Sequence, residues 1–336
     1  MAAEHLPFEL ISRPPATPGM HRAADKKHLL AQRRLPAFLS SHQQAALRYQ
    51  PSEALLLAIN MALHTGSPLL LTGEPGTGKT QAADFVGAYF DIPVYKFVVK
   101  STSTAQDLLY EFDAVGYLHW AHAAGREPGA ASTASAVATR AVRDSFLRQR
   151  ALWHAYDTDG DAVVLIDEID KAPRDFPNDL LHELDQHSFP HPFDQEQLIL
   201  PKSGRPPIVI ITSNEERRLP DAFLRRCIYH RIELTEDLIE AAVESMARAA
   251  DSANAGAGMP FPNLDAATRV AARARFWEIR QRREIDKKPS TAELLTWLCI
   301  LSARRVEAHI LEHSGLRQLP GIEALIKDYE DLQRLG

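Results

Sequence analysis

The chain has 336 residues, 45% apolar and 24% charged, with a formal net charge of −6. That length suggests two domains of an ordinary soluble protein, and the acidic balance argues against general nucleic-acid binding while leaving room for a local basic surface. Cys227 and Cys299 have neither metal spacing nor the makings of a disulfide framework, and the longest apolar candidate, residues 54–63, includes Asn60 and falls short of a bilayer. Without a secretion signal at Met1-Ala2-Ala3-Glu4-His5, the expected compartment is the cytoplasm, with no direct membrane insertion.

Residues 1–40 carry Pro7, Pro14, Pro15, Pro18 and the basic stretch Arg22–Arg34, which reads as an extended N-terminal arm. From Ser52 to Leu63, Leu55, Leu56, Ile59 and Leu63 recur at helical spacing and lead to a first core strand at Pro68–Thr72. Gly73-Glu74-Pro75-Gly76-Thr77-Gly78-Lys79-Thr80 follows with the spacing G-x-x-x-x-G-K-T of a phosphate-binding loop. Its glycines let successive N–H groups converge on one cavity, and the next helix adds its positive end. Lys79 can neutralise the β- and γ-phosphates, and the Thr80 hydroxyl can join the coordination of Mg²⁺.

Lys79–Phe90 continues as a helix and Val94–Val98 as a strand, followed by a long connection. That connection holds Leu108–Phe112, the aromatic Val115–Trp120, the low-complexity Ala121–Ala138, and resumed helical periodicity over Ala141–Trp153. Its aromatics either grip a partner or pack locally. Ala162–Ile166 is a central parallel strand ending in Asp167-Glu168-Ile169-Asp170, where open α/β sheets bind ligands. Asp167 can hold the magnesium hydration shell, and Glu168 can orient or deprotonate water in line with the γ-phosphate.

Phe176, Leu180, Leu181 and Leu184 mark a helix, and Ser188–Phe193 a hairpin or loop ending near Leu200. His182, His187 and His191 within this region lack metal-ligand spacing. Pro207–Thr212 is a further strand, after which Asn214 can orient the attacking water. An arginine from Arg225-Arg226, just before the closing strand Tyr229–Leu234, can enter the nucleotide site of an adjacent subunit.

From Thr235 on, helical patterns dominate over Asp237–Ala249, Ala266–Arg283, Ser290–Glu312 and Ile322–Arg334. Between Arg269 and Lys288 stand eight basic and three acidic residues, a stripe that suits a salt-bridged helix or subunit contact better than nucleic acid.

These ordered motifs resemble an AAA+ ATPase over roughly residues 45–330. The phosphate loop and the long insertion after the second strand are most similar to the MoxR and dynein-related ATPases. The resemblance implies an α/β P-loop NTPase with a five-stranded parallel sheet of order 5-1-4-3-2, then a small all-helical lid. Beyond the arm at 1–40, it implies a nucleotide-binding core at 41–235 with an insertion at about 101–140, and a lid at 236–336. It further implies Mg²⁺-dependent ATP hydrolysis in a homo-oligomeric ring, usually hexameric, that remodels or matures a protein partner, often one with a von Willebrand factor A domain.

Carried over residue by residue, Gly73, Glu74, Pro75, Gly76, Thr77, Gly78, Lys79 and Thr80 match the phosphate loop, and Asp167 and Glu168 the magnesium and water-activating carboxylates. Asn214 matches the first sensor and Arg226 the arginine finger. Cys227 stands where the family commonly has an aromatic residue, so Arg225 stays in play. The lid has Lys288-Pro289-Ser290-Thr291-Ala292 where a second-sensor arginine is expected. Either Lys287 or Lys288 substitutes for it, or lid closure is coupled differently to the nucleotide. The alternatives in function are a nucleic-acid motor or restriction and defence subunit, and a switch governed by nucleotide occupancy. The loop by itself does not distinguish ATP from GTP.

Overall fold

The computed structural model describes residues 49–123, 142–248, 261 and 263–335. The N-terminal arm and the Ala/Ser/Thr-rich part of the insertion lie outside them. Two compact units result, one built from Pro51–Glu74 and Gly78–Glu233, the other including Leu234–Gly336.

In chain order the strands of the first unit are β1 (Leu69–Thr72), β2 (Val94–Val98), the short pair β3 (Tyr110–Phe112) and β4 (Leu147–Gln149), β5 (Val163–Asp167), the hairpin β6 (Phe189–His191) and β7 (Asp194–Ile199), β8 (Ile208–Ser213) and β9 (Ile228–Arg231). Five of them form one parallel sheet in the order β2-β5-β8-β1-β9. Numbered within that sheet alone and read from the β9 edge, the order is 5-1-4-3-2. Val163, Val164, Leu165 and Ile166 are wholly buried, as are Leu70, Leu71, Ile210 and Ile211. This explains why these strands read as continuous apolar runs: both faces of a parallel sheet are covered. Each such side chain contributes about 1.5–3 kcal/mol through burial.

Register fixes the functional edge. Thr72 pairs with Ser213 on one side and Arg231 on the other, and Ile166 pairs with Ile211. Because the strands are parallel, the segments leaving β1, β5 and β8 emerge together at one edge of the sheet.

The insertion departs from the helical expectation over Ala141–Trp153. Residues 142–145 are helical as expected, but Leu147–Gln149 pairs antiparallel with β3, and helix resumes only at Ala151. The reason lies in the aromatics, which pack on one another and on the hairpin: Phe112 lies 5.0 Å from Phe193, Tyr117 5.9 Å from Phe146, and Trp153 5.4 Å from Phe189. Such edge-on ring pairs favour the extended backbone that brings them opposite each other. The local-packing reading therefore accounts for these rings, while Val115 and Leu118 stay exposed. His191 lies in the same cluster, 5.7 Å from the Trp153 ring.

The second unit is helical, with helices at Glu236–Arg248, Ala266–Gln281 and Thr291–Ala303. The helix expected to run from Ser290 to Glu312 is broken after Ala303. Arg305 takes a left-handed φ of 52°, and the Val306 N–H donates to the Leu301 carbonyl at 3.0 Å. Burying Val306 closes this helix end, an outcome that apolar spacing alone does not distinguish from continuation. Ile322–Arg334 likewise divides into a 3₁₀ turn at Ile322–Ala324 and a helix at Tyr329–Arg334. Trp297 is fully buried, with its indole N–H donating to the Pro320 carbonyl at 2.8 Å, and Cys299 is partly buried against the same core. The basic stripe is largely paired within this unit. Arg269 meets Glu244 at 3.2 Å, Arg273 meets Glu240 at 3.2 Å, Arg275 and Arg282 both face Glu278, and Lys287 faces Asp328.

Candidate active site

The segment after β1 curls through Gly76 and Gly78, at φ 78° and 89°, values that side chains with a Cβ rarely adopt. The helix Lys79–Phe90 starts immediately beyond, so its free N–H groups face the loop. Lys79 is 6% exposed, and its ammonium donates to the carbonyls of Gly73 at 2.7 Å and Glu74 at 2.8 Å. Burial draws its pKa below the ordinary lysine value, while the charges of Asp170, Asp167, Glu215 and Glu168 push it back up. The carboxylates at the strand ends thus help to keep a desolvated cation charged.

Asp167 ends β5 with one oxygen, Oδ1, accepting from the Thr80 hydroxyl at 3.0 Å and from the Thr212 hydroxyl at 2.5 Å. Thr212 in turn accepts the Glu168 N–H at 2.9 Å, which fixes the backbone where the chain leaves the strand. Glu168 sits there at φ 61°, a left-handed conformation costly for a residue with a side chain and held by its surroundings. Its carboxylate is engaged on both oxygens, by the Lys171 ammonium at 2.6 Å and by the Asn214 amide at a longer 3.4 Å. The hydrogen bond and charge of Glu168 hold the Lys171 ammonium above its usual pKa.

Lys79, Thr80, Asp167, Glu168 and Asn214, expected from sequence, therefore belong to one connected polar cluster. Glu74 joins it through its carbonyl, and Gly73 to Gly78 form the loop itself. Arg225 and Arg226 lie elsewhere, on the turn after the short helix Asp221–Leu224 that leads into β9. Arg225 is exposed. Arg226 is 41% exposed at its side chain and donates to Asp185 at 2.7 Å and to the Ala222 carbonyl at 2.9 Å.

Several members of the cluster have no motif to announce them. Thr212 links two strand ends by its hydroxyl, Asp170 and Lys171 sit on the turn after Glu168, and Glu215 faces Tyr229 and Arg231 of β9 at 3.5 Å each. Tyr229 also accepts from the Thr72 hydroxyl at 3.0 Å, tying the edge strand to the start of the phosphate loop. The only signal available for Asp170 and Lys171 was their place directly after the acidic pair. Thr212 and Tyr229 reach the cluster through strand pairing between segments far apart in the chain.

The family model described as ATPase family associated with various cellular activities (AAA) matches residues 69–236, from the first strand of this sheet to just beyond the last. The chain belongs to this family. This AAA+ chain is thus an ATP hydrolase built on an α/β P-loop fold, and membership of the family implies an ATP- and magnesium-binding loop. A search among curated proteins returns no match. Among solved structures, the chain is similar to a candidate ATPase from Cytophaga hutchinsonii at 13% identity, with a TM-score of 0.39, covering 93% of this chain and 87% of that one. It is also similar to NtrX from Brucella abortus in complex with ADP, at 14% identity and a TM-score of 0.46, covering 91% of this chain and 63% of that one. A second NtrX structure gives 15% identity and a TM-score of 0.45, covering 84% and 59%. The chain thus spans less than two thirds of the NtrX chains. No described helix is long and apolar enough to cross a membrane.

Proposed function

We propose that this AAA+ chain hydrolyses ATP at sites shared between protomers of a homo-oligomeric ring, in the manner of MoxR-like ATPases, and uses the cycle to remodel or mature a protein partner. The observation that carries this reading is the separation between a connected strand-end cluster and a pair of arginines outside it. Lys79, Thr80, Asp167, Glu168 and Asn214 form one hydrogen-bonded or charge-coupled group, whereas Arg226 is half-exposed and, among the described residues, held by Asp185 and a carbonyl of its own turn. An arginine so presented suits donation to a neighbouring protomer, with Arg225 as the second candidate.

The residues present fit a magnesium ion. Thr80 Oγ and Asp167 Oδ1 are hard oxygen donors 3.0 Å apart, the chemistry Mg²⁺ prefers. When bound, Mg²⁺ neutralises charge on the β- and γ-phosphates. Lys79 binds and neutralises the same phosphates and would exchange its two loop carbonyls for their oxygens. Glu168 takes a proton from water on its carboxylate, which requires release of at least one of its present contacts, and Asn214 orients that water or the γ-phosphate. The protein-remodelling role, a hexameric stoichiometry, a von Willebrand factor A partner and a cytoplasmic setting rest on the resemblance of the phosphate loop and of the long insertion between β2 and β5. The internal pairing of the lid's basic stripe leaves the nucleic-acid reading with little support of its own.

Specific activity measured against protein concentration tests the shared site. Turnover per chain should rise steeply with assembly, and concentration-independent turnover by a strict monomer would sink the proposal. Glu168→Gln should retain nucleotide and lose turnover. Recovering the assembly trapped by that variant would identify the partner, and unimpaired biological function without hydrolysis would favour an occupancy switch.

A further inference from the structure

Asp170 is an aspartate at 2% exposure, three residues beyond Asp167 on the 3₁₀ turn Ile169–Lys171. Burying a carboxylate is costly unless its oxygens are fully engaged. Here they are engaged by the segment that leaves β8. The Asn214 N–H lies 3.2 Å from both Oδ1 and Oδ2, and the Glu216 N–H donates to Oδ2 at 3.0 Å.

Two amides flanking one residue can converge on a single acceptor only if the chain between them curls. Glu215 supplies that curl with a left-handed φ of 60°. A non-glycine residue in this conformation is strained, and the carboxylate beneath it offsets the strain. The Asn214 side chain then donates to Glu168 Oε1 at 3.4 Å. The connections close a ring running from Glu168 through the turn to Asp170, across to the Asn214 backbone, and back through the Asn214 amide to Glu168.

We infer that Asp170 is the positioning residue of this ATPase: by anchoring the backbone amides of Asn214 and Glu216 it sets the Asn214 side chain against Glu168. It touches neither nucleotide nor water in this role. An anion suits the position because every group it meets is a donor. An amide at the same place would turn an NH₂ toward a backbone N–H and lose an acceptor. The inference rests on the roles assigned above to Glu168 and Asn214, and the experiment separates the two levels.

The isosteric Asp170→Asn should lower kcat by about 10²-fold, the scale of a small misplacement of a catalytic group, with KM and nucleotide affinity within about twofold of the parent. Added to Asn214→Ala, it should lower kcat by little more, because both changes remove one function. Independent multiplication of the two losses, or parental kcat in Asp170→Asn, overturns the inference while leaving the assignments of Glu168 and Asn214 standing. Full turnover in Asn214→Ala removes both.

A second pair of variants guards against misfolding at the buried site. Glu215→Gly and Glu215→Val lose the same carboxylate, but only glycine accepts a left-handed φ without strain. The valine variant should fall about tenfold or more below the glycine variant in kcat at similar KM. Equal turnover of the two overturns the inference.

Discussion

The strand-end cluster and the arginine turn both carry charged groups, yet the protein treats them oppositely. In the cluster, Lys79 is nearly buried and bonded twice, Asp167 accepts two hydroxyls, and both oxygens of Glu168 are occupied. On the turn, Arg225 is exposed and Arg226 rests on a partly exposed ion pair with Asp185. Groups that must be preorganised are fixed by parallel strands and their own hydrogen bonds, where reorganisation during reaction would be costly. On the proposed trans-acting role, such an arginine has to stay accessible, and a surface ion pair of about 0–1 kcal/mol can hold it without trapping it.

The largest effect that would sharpen this contrast comes from Lys79→Ala. It should abolish nucleotide binding measured by titration calorimetry, and with it turnover, because Lys79 is the cation bonded at the carbonyls of Gly73 and Glu74. Tight binding by that variant would break the account of the loop. Arg226→Ala comes next. It should reduce kcat on the order of 10³-fold while leaving nucleotide affinity nearly intact. Mixing it with Glu168→Gln should restore partial turnover at interfaces that unite one protomer's intact Glu168 with the other's intact Arg226. If Arg225→Ala shows this behaviour instead, the finger is Arg225; if neither does, the turn is not a trans-acting element.

Smaller effects follow. Asp185→Ala removes only the half-exposed partner of Arg226, so unfolding in urea should shift by no more than about 1 kcal/mol. A loss of several kcal/mol would mean that the pair is structural and the arginine not free to leave. Least of all, Cys227 should be nearly inert. Burial pushes its thiol up to about 12, as it does that of Cys299, so both stay protonated at pH 8 and alkylate slowly until the chain is unfolded. Rapid native labelling of Cys227 would show that the arginine turn opens, blurring the comparison from the other side.

Much of this was already in the order of residues. Leu69–Thr72, Val163–Asp167 and Ile208–Ser213 are apolar runs because both faces of the sheet are covered, and that same burial made the strands legible. Gly73–Thr80 and Asp167-Glu168 were readable because backbone conformation and ligand chemistry restrict a few adjacent positions. The sequence alone therefore determined the glycine-rich loop after the first strand, the carboxylate pair and the existence of a helical second half. The tertiary structure decided what those residues lean on: Thr212 beneath Asp167, Asp170 beneath Asn214, Lys171 against Glu168, and Val306 closing a helix whose apolar spacing would have carried on. Each of these depends on which segments strand pairing and burial bring side by side, and local spacing does not encode that.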